Sequence, residues 1–497
     1  MSAGSSDAYQ VHCPSVQSIV LATRATVVAR AVREPSSLTT DTRASLEGAC
    51  FVALHGERFD GHAFVHEAAS RGAALAIVER ALTASELPQG LPAGFGLLRV
   101  HSTRTALGSI AHAWRVSNRH LRVVAITGSA GKTTTRRLLE GILAVVGNTQ
   151  ASAKSFNNDI GVPLTLLATP DEARFLVAEI GMNHPGEILP LAEMVQPEGA
   201  IITLAGRAHL EGLGSIAAVA TEKASILQAV PVHGFAVING DNAPLCEAVE
   251  RLTQTGLAPS RVVTFGLSSG CDYRLLARTV VDGGQKIEVS LPPSALMLEE
   301  ESTRRLEISL RVPGEHNARN ALAAIAAAVE MKIPAAAILT GLAGVEPADM
   351  RLERSVVAGR AIYNDAYNAN PDAMIASLGA FAELSAGVSR RVAILGEMRE
   401  LGLNAKALHE EVGAHAAGQL HERDAIVAVG PWAGALVAAA REAGFRGDTL
   451  HADVFSDAVA LDAAALAPSG CAILLKGSRG ARMERFLEPL GSAFAAR

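Results

Sequence analysis

The chain has 497 residues, 49% of them hydrophobic and only 4% aromatic, and it carries a formal net charge of -6. With typical domains of roughly 150 residues, this length predicts about three domains. The near balance of 44 basic and 50 acidic side chains argues against a nucleic-acid partner bound by broad neutralisation of phosphates, although a local basic pocket stays possible.

Membrane insertion and cysteine-based sites are also disfavoured. The longest apolar runs, Ala321–Val329 and Trp432–Ala440, are far shorter than the ~20 residues of a transmembrane helix. The first twenty residues contain neither Lys nor Arg, so we expect no secretory signal. The five cysteines are widely spaced without a CxxC pair, which argues against a disulfide framework and a zinc site. We therefore expect a cytoplasmic protein without membrane insertion. A monomer is expected as well, although the sequence carries no signal for the oligomeric state.

The first predicted domain, residues 1–118, alternates short apolar runs with helix-like stretches. The apolar runs are Ala49–Leu54, Ala73–Val78 and Gly96–Val100. Its polar centre is Thr39–Arg43 followed by Gly56–His62. The pattern is typical of a small α/β domain.

The second predicted domain, residues 119–345, opens with a strand that leads through a glycine turn into a helix. Strand–helix alternation continues after it, which predicts a mainly parallel sheet. The predicted elements are strands at Val123–Thr127, Phe175–Ile180, Ala200–Leu204 and Phe235–Asn239, a β-rich insert at Val262–Val312 and helices from Lys132, at Ser215–Val230 and at Ala318–Lys332.

The third predicted domain, residues 346–497, also alternates strands and helices. Its strands are predicted at Arg391–Leu395, Ala425–Val429 and Ala472–Leu475. The arrangement indicates a doubly wound, Rossmann-like sheet.

The strongest local signal is the segment Thr127-Gly128-Ser129-Ala130-Gly131-Lys132-Thr133-Thr134, which follows a strand and opens a helix. Glycines allow backbone N–H groups to face a phosphate, and the helix N-terminus adds a favourable dipole. Lys132 would neutralise the β- and γ-phosphates, and the Thr133 hydroxyl would ligate Mg²⁺. Ile126 stands where the full P-loop pattern has Gly, so an ordinary glycine-rich turn is the alternative. No lysine is followed two residues later by Asp, which excludes a switch GTPase.

Two further residues follow predicted strands of the same domain. Glu179 ends a central strand, where a metal-binding acid belongs, although a solvated glutamate is the alternative. His209 lies in Ala208-His209-Leu210-Glu211, and a lone histidine of this kind is more often structural than catalytic.

In combination these motifs resemble the Mur ligases, the ATP-dependent amide ligases of peptidoglycan precursor synthesis. The resemblance runs through almost the whole chain. The other motifs that carry it are Asn157-Asn158-Asp159, Thr221-Glu222-Lys223-Ala224, Gly314-Glu315-His316-Asn317-Ala318-Arg319-Asn320, Arg351, Asn364-Asp365-Ala366-Tyr367-Asn368-Ala369-Asn370-Pro371, Gly396-Glu397-Met398-Arg399-Glu400-Leu401-Gly402 and Leu475-Lys476-Gly477-Ser478-Arg479.

The resemblance implies a UDP-sugar domain, a central ATP and magnesium domain, and a third domain that presents the amine. It implies that Asn317 and Asn320 read adenine and ribose, with helix capping near Ala318 as the alternative. It implies that Arg351 and Asp365 hold the nucleotide. The residues that it implies for substrate binding are Thr42, Arg43, Asn157, Asn158, Asp159, Lys476, Ser478 and Arg479.

The resemblance also implies the chemistry. Lys132, Lys223, His209 and Glu179 would act in catalysis. Two Mg²⁺ ions would be held by Thr133, Glu179, His209 and a Lys223 carboxylated to a carbamate, with an exposed helix lysine as the alternative for Lys223. The expected substrates are UDP-N-acetylmuramoyl-tripeptide and D-alanyl-D-alanine, joined through an acyl phosphate.

Three departures from the family pattern and two rival functions stay open. Leu204 and Ala366 stand where relatives commonly carry Asn and Ser, and Asn364 stands where a second Asp is usual, which puts local hydrogen bonds in doubt. The absence of an Asp-Asn-Pro-Arg run argues against the ligase that adds the third peptide residue. A folylpolyglutamate-like ligase is one rival, and a nucleotide-binding protein without catalysis is the other.

Overall fold

Among the residues that the structure describes, the strands form sheets of five, nine and six strands and a two-stranded ribbon. The computed structural model describes residues 11–56, 59–87, 90–153, 156–293 and 305–495. Glu57 and Arg58 of the predicted polar segment, and part of the predicted β-rich insert, lie outside these ranges. None of the described helices combines the length and hydropathy that crossing a bilayer requires.

The chain groups into two units, which are described separately. The first consists of residues up to Ala125 together with Gly147–Met182 and Glu187–Glu198. The second consists of Ile126–Val146, Asn183–Gly186 and Gly199–Arg497.

The five-stranded sheet lies in the first unit. The elements in and around it are α1 (Val16–Thr23), β1 (Thr26–Ala29), β2 (Ser37–Thr39), β3 (Ala49–Val52), the ribbon strands β4 (His55–Gly56) and β5 (Phe59–Asp60), α2 (Val65–Ser70), β6 (Leu75–Val78), β7 (Gly96–Arg99) and α3 (Thr103–Ser117). The strand order is β1-β7-β6-β3-β2, and only the β1–β7 pair is antiparallel. Every residue of β3 and β6 is buried, as parallel strands covered on both faces require.

The nine-stranded sheet follows in the chain. Its elements are β8 (Arg122–Thr127), α4 (Lys132–Ala144), β9 (Thr149–Ala151), α5 (Gly161–Leu167), β10 (Phe175–Glu179), α6 (Ile188–Val195), β11 (Gly199–Ile202), α7 (Leu210–Leu213), α8 (Ile216–Ala224), β12 (Phe235–Asn239), α9 (Ala243–Gln254), β13 (Arg261–Gly266), β14 (Tyr273–Val281), β15 (Gly284–Ser290), β16 (Arg305–Leu310), α10 (Glu315–Glu330) and α11 (Ala335–Ala343). In the second unit the strand order is β16-β15-β14-β13-β12-β11, and in the first unit β10 pairs in parallel with β9. The run from β11 to β14 is parallel, and β14 to β16 are antiparallel, which confirms the predicted β-rich insert.

Two predicted helices differ from the structure at their ends. Helix α10 begins at Glu315, three residues before the prediction, because Gly314, with φ of 91°, occupies its N-cap. The helix predicted over 215–230 ends as an α-helix at Ala224 and continues as a 3-10 turn, Ser225–Ala229. The Ser225 hydroxyl donates to the Glu222 carbonyl at 2.6 Å, and such a bond competes with the helical backbone pattern.

The six-stranded sheet completes the second unit. Its elements are β17 (Glu353–Val357), β18 (Arg360–Asp365), α12 (Pro371–Leu384), β19 (Arg391–Gly396), α13 (Ala405–Gln419), β20 (Ala425–Val429), α14 (Ala433–Glu442), β21 (Asp448–Ala452), α15 (Asp457–Ala465), β22 (Ala472–Lys476) and α16 (Leu487–Ala495). The order is β17-β18-β22-β19-β20-β21, and only β17–β18 is antiparallel. Apolar cores cover both faces, with α12 to α14 on one core and α15 and α16 on the other. These features confirm the predicted α/β class with a doubly wound third sheet.

A close helix contact fixes part of the central core. Helix α11 approaches α4 at a pair of glycines, Gly341 and Gly141. A Cβ atom at Gly341 would lie 2.4 Å from the Cα of Ile142 and 2.5 Å from the carbonyl oxygen of Gly141. Real Cβ atoms do not approach backbone so closely, so the two helices pack at this distance only because both positions lack a side chain.

The contact yields a stability prediction. Gly341→Ala should lower the free energy of unfolding by about 1–3 kcal/mol, since the backbone of α4 must move to accept a methyl group. Gly379→Ala in α12 is the matched control, because a Cβ there meets no heavy atom within 4 Å. The control should be neutral or stabilising by about 0.5–1 kcal/mol. Urea denaturation followed by circular dichroism measures both, and equal midpoints for the two variants would contradict the contact.

Candidate active site

The predicted phosphate loop connects the end of β8 to the start of α4. A Cβ atom at Gly128 would lie 1.8 Å from Thr203 Oγ1, and one at Gly131 would lie 2.3 Å from Asn320 Oδ1. Gly131 also has φ of 85°, which side chains rarely adopt. Both positions therefore require glycine, and the loop places backbone N–H groups at the N-terminus of a 13-residue helix, a favourable site for anions.

Side chains at the start of α4 contact the loop and a distant arginine. Lys132 Nζ donates to the carbonyl oxygen of Gly128 at 2.7 Å. Thr133 Oγ1 accepts from Arg351 Nη2 at 3.0 Å. The Ser129 hydroxyl accepts from the backbone N–H of Gly206 at 3.0 Å. The loop is thus held by residues from later in the second unit.

A cavity of about 430 Å³ lies against this loop. Its volume is in the range typical of small-molecule sites, ~300–1,000 Å³. The predicted site residues that line it are Ala130, Gly131, Thr134, Asn317, Asn320, Arg351, Asp365 and Lys476. The other predicted residues of the second unit that are not among the lining residues are Gly128, Ser129, Lys132, Thr133, His209, Lys223, Ser478 and Arg479.

Asn317 and Asn320 lie within α10 and are almost fully buried. Asn317 Nδ2 donates to the carbonyl of Pro313 at 2.7 Å, and Asn320 Nδ2 donates to Asn317 Oδ1 at 3.1 Å. The N-cap of α10 is Gly314, which has no side chain to cap with. The structure therefore excludes the capping alternative and places both amides on the cavity wall.

The third sheet contributes to the same cavity through the carboxyl ends of β18 and β22. Asp365 and Lys476 are register partners there, and Lys476 Nζ lies 2.8 Å from Asp365 Oδ2. Arg351 stacks on Tyr367, with the guanidinium 4.4 Å from the ring centroid. Lys476, predicted for substrate binding, thus lines the same cavity as the residues predicted for the nucleotide.

Ser478 and Arg479 have different surroundings. The Ser478 hydroxyl accepts from the backbone N–H of Arg399 at 2.9 Å and donates to the carbonyl of Ala369 at 3.2 Å. It is 3% exposed and joins the loops after β18, β19 and β22. Arg479 is mostly exposed and pairs with Glu484 at 3.2 Å.

His209 has a carboxylate partner to which sequence analysis gave no role. It occupies the N-cap of α7 in the left-handed region, with φ of 59°, and its Nδ1 lies 2.7 Å from Glu400 Oε2. Bonding to His209 lowers the pKa of Glu400 below its ordinary value. The loop that carries Glu400 is itself fixed, because the Met398 N–H donates to His409 Nε2 at 3.0 Å. The only sequence signal for Glu400 was its place in the motif after β19.

Lys223 lies in the last turn of α8 and is 1% exposed. Burial first, and then the charge of Lys132, lowers the pKa of Lys223 well below its ordinary value. These observations exclude the exposed-lysine alternative.

In the first unit, Glu179 and Asn157 are bonded to each other. Asn157 Nδ2 donates to Glu179 Oε1 at 3.0 Å at the end of β10, and Glu179 is 2% exposed, which excludes the solvated alternative. Asn158 Oδ1 accepts from the N–H groups of Ile160 and Gly161, so this side chain organises the start of α5.

The remaining predicted residues of the first unit are on exposed segments. Asp159 Oδ2 pairs with Arg104 Nη1 at 2.8 Å. Thr42 and Arg43 follow β2; Arg43 pairs with Asp41 at 2.6 Å, and this bond lowers the pKa of Asp41.

Several cavity residues were missed by sequence analysis. Asn242 forms an amide pair with the backbone of Ala205, accepting at 3.0 Å and donating at 3.2 Å. Burial lowers the pKa of His316 to about 4, so this ring is neutral at pH 7. Arg207 and Asp372 also line the wall. Of these residues, His316 lies in a motif that sequence analysis recognised, next to Asn317, which was assigned to the nucleotide. No sequence pattern marked Asn242, Arg207 or Asp372 as site residues.

The residue types fit magnesium. The Thr133 hydroxyl and the Glu179 carboxylate are hard oxygen donors of the kind that Mg²⁺ takes. In the part of the chain that the structure describes, no group of three or more His, Cys, Asp or Glu side chains is arranged to hold a metal ion.

Comparisons with known proteins match three family models to successive parts of the chain. The family model described as "Mur ligase family, catalytic domain" matches residues 35–115, "Mur ligase middle domain" matches residues 126–328, and "Mur ligase, glutamate ligase domain" matches residues 350–479.

Relatives match over nearly the full length. UDP-N-acetylmuramoyl-tripeptide--D-alanyl-D-alanine ligase of Escherichia coli (strain K12) is 35% identical over 459 residues, which cover 91% of this chain and 93% of that protein. A crystal structure of MurF from Acinetobacter baumannii superposes with a TM-score of 0.84 at 29% identity, covering 97% of this chain and 100% of that one. MurF ligase from Thermotoga maritima in complex with ADP superposes with a TM-score of 0.77 at 25% identity, covering 93% and 98%. The chain therefore belongs to the Mur ligase family.

Proposed function

We propose that this chain is an ATP-dependent ligase that joins D-alanyl-D-alanine to UDP-N-acetylmuramoyl-tripeptide in peptidoglycan precursor synthesis. The observation that supports this proposal most strongly is the composition of one cavity. It is lined by the phosphate loop, by Asn317 and Asn320 of α10, and by the ends of β18 and β22. The similarity to the E. coli ligase of that name, over most of both chains, supports the same substrates.

The chemistry follows from the weakness of a carboxylate as an acylating agent. Transfer of the ATP γ-phosphoryl group to the terminal carboxylate of the tripeptide gives an acyl phosphate. The amine of the dipeptide attacks its carbonyl carbon and releases phosphate. Both steps need alignment and neutralised charge, which Lys132 and the backbone N–H groups of the loop supply.

Roles for the other residues complete the proposal. Asn317 and Asn320 bind the adenosine part, and Arg351 and Asp365 hold the nucleotide from the side of the third sheet. Residues 1–118 bind the UDP-sugar, residues 119–345 bind ATP, and residues 346–497 present the amine. Thr42, Arg43 and Asn157 to Asp159 are assigned to the UDP-tripeptide, and Lys476, Ser478 and Arg479 to the incoming dipeptide.

Magnesium and a modified lysine belong to the same proposal. Thr133, Glu179 and His209 are the residues that would hold Mg²⁺, which supplies charge neutralisation at the phosphates. The neutral amine of Lys223 would add to CO₂ and lose a proton to give a carbamate, an oxygen ligand for a second ion. Burial that lowers the pKa of Lys223 supports this, since CO₂ reacts with the neutral amine. We place the reaction in the cytoplasm, which suits the free cysteines, and propose a monomer.

The substrate assignment has a direct test. Phosphate release should require both UDP-N-acetylmuramoyl-tripeptide and D-alanyl-D-alanine, and mass spectrometry should find the joined pentapeptide. Folate with glutamate should give neither signal. Turnover with folate and glutamate alone would support the folylpolyglutamate-type rival, and ATP binding without any amide product would support the non-catalytic one.

The phosphate loop makes a second prediction. Lys132→Ala should lower kcat by at least ~10²-fold with an unchanged fold, because its amine faces the loop rather than a core. Lys406→Ala is the control, since Lys406 is an exposed lysine on α13 paired only with Glu410 among the ion pairs described. Steady-state phosphate release measures both. Normal turnover of the Lys132→Ala variant would contradict the assignment of this segment as the phosphate loop.

The carbamate makes a third prediction. Activity should fall in buffer stripped of CO₂ and return with bicarbonate. Lys223→Arg should be inactive, because a guanidinium does not form the carbamate. Lys223→Glu should retain a trace of activity, because its carboxylate supplies an oxygen ligand. A fully active Lys223→Arg enzyme would contradict the proposed carbamate.

A further inference from the structure

The side chain of Arg207 joins parts of the second unit that are distant in sequence. Arg207 follows β11, and its Nε and Nη2 donate to Oδ1 of Asp372 at 2.9 and 2.7 Å. Its backbone N–H donates to Oδ2 of the same carboxylate at 2.7 Å. Nη1 donates to both carboxylate oxygens of Glu411 at 2.6 Å. One guanidinium thus engages α12 and α13 in charge-assisted bonds, the strong class of hydrogen bond.

The first turn of α12 also contacts the phosphate loop. Asn370 caps α12 by accepting from the N–H of Ala373 at 2.8 Å, and its Nδ2 donates to the carbonyl oxygen of Ser129 at 3.2 Å. The Ser129 hydroxyl is bonded to Gly206, the neighbour of Arg207. The first turn of α12 therefore binds two backbone segments at the cavity. One is the phosphate loop at Ser129, and the other is the segment that contains Gly206 and Arg207.

Packing at this junction is tight. A Cβ atom at Gly206 would lie 2.4 Å from Asp372 Oδ2, so the carboxylate sits directly on the backbone. The side chains of Arg207 and Asp372 are 21% and 26% exposed and both line the cavity. Charges that are partly buried are screened less than surface charges. Without Arg207, a carboxylate would face a cavity assigned to a polyanionic ligand.

We propose that Arg207 is a positioning residue for nucleotide binding. By holding Asp372 and Glu411, it fixes the first turn of α12 on Ser129 and offsets the charge of Asp372 on the cavity wall. The inference rests on the proposed function only in taking a nucleotide as the ligand of the cavity.

The chain offers a matched control on the same helix. Arg278 of β14 pairs with Glu383, near the other end of α12, with Nη1 and Nη2 at 2.8 and 2.5 Å from the carboxylate oxygens. Neither residue is among those that line the cavity. Arg278→Met therefore removes a comparable ion pair of α12 without touching the phosphate loop.

The test is calorimetric binding of ADP with Mg²⁺, without sugar or dipeptide substrates, to proteins whose fold is checked by circular dichroism. Arg207→Met should weaken ADP binding about tenfold. Arg207→Lys, which keeps the charge but cannot engage two carboxylates as a fork, should weaken it by an intermediate factor. Arg278→Met should stay within twofold of the unmodified protein. In the ligase assay kcat/KM for ATP should fall in the same order, while KM for the dipeptide stays unchanged.

Glu411→Gln covers the case in which Arg207→Met fails to fold, because Glu411 is 46% exposed. It should weaken ADP binding about threefold. Unchanged ADP binding in the variants of Arg207 and Glu411, or an equal loss in Arg278→Met, overturns the inference. If ADP binding weakens in the expected order among the variants but no amide product forms, the proposed ligase reaction is contradicted. The role of Arg207 in nucleotide binding would still be supported.

Discussion

The contact between the phosphate loop and α10 is the constraint on which the rest of the site depends. The loop can approach the helix so closely only because Gly131 has no side chain where Asn320 lies. That approach places backbone donors for phosphate beside the paired amides of Asn317 and Asn320. The two ends of a nucleotide would thus meet elements that are far apart in sequence, and the distance between them is set by packing rather than by a flexible connection.

Charge around this contact is arranged in pairs. Lys476 pairs with Asp365, and Arg207 pairs with both Asp372 and Glu411, so these two cations are matched by carboxylates. Lys132 and Arg351 add positive charge next to the phosphate loop, where Lys132 Nζ donates to the carbonyl oxygen of Gly128 and Arg351 Nη2 donates to Thr133 Oγ1. This arrangement agrees with an acidic chain that holds a local basic pocket, because attraction for phosphate needs charge only where the phosphates lie.

Sequence alone predicted the elements better than it predicted the contacts. Buried parallel strands are continuous apolar runs, so β12 and β20 were placed to the residue, and the glycines marked the phosphate loop. Burial of Lys223 could not be read from the sequence, because a nine-residue helix with alanines on most faces gives no sign of which face is covered. The bonds of Arg207 were equally hidden, since its partners lie 165 and 204 residues further along the chain. The sequence could not show whether Asn317 caps α10 or lies within it. The structure answers this, because Gly314 occupies the N-cap and the helix begins at Glu315.

The surroundings of Lys223 bear on the carbamate proposed for it. Burial disfavours an ammonium group, and the charge of Lys132 disfavours it further, which is why the pKa of Lys223 is low. Burial alone would disfavour a carbamate anion in the same way. The charge of Lys132, however, acts in the opposite direction on an anion and stabilises it. Lys132, whose charge adds to burial in lowering the pKa of Lys223, would therefore stabilise the modified form. A side chain assigned to the phosphate loop would thus offset part of the electrostatic cost of the modification.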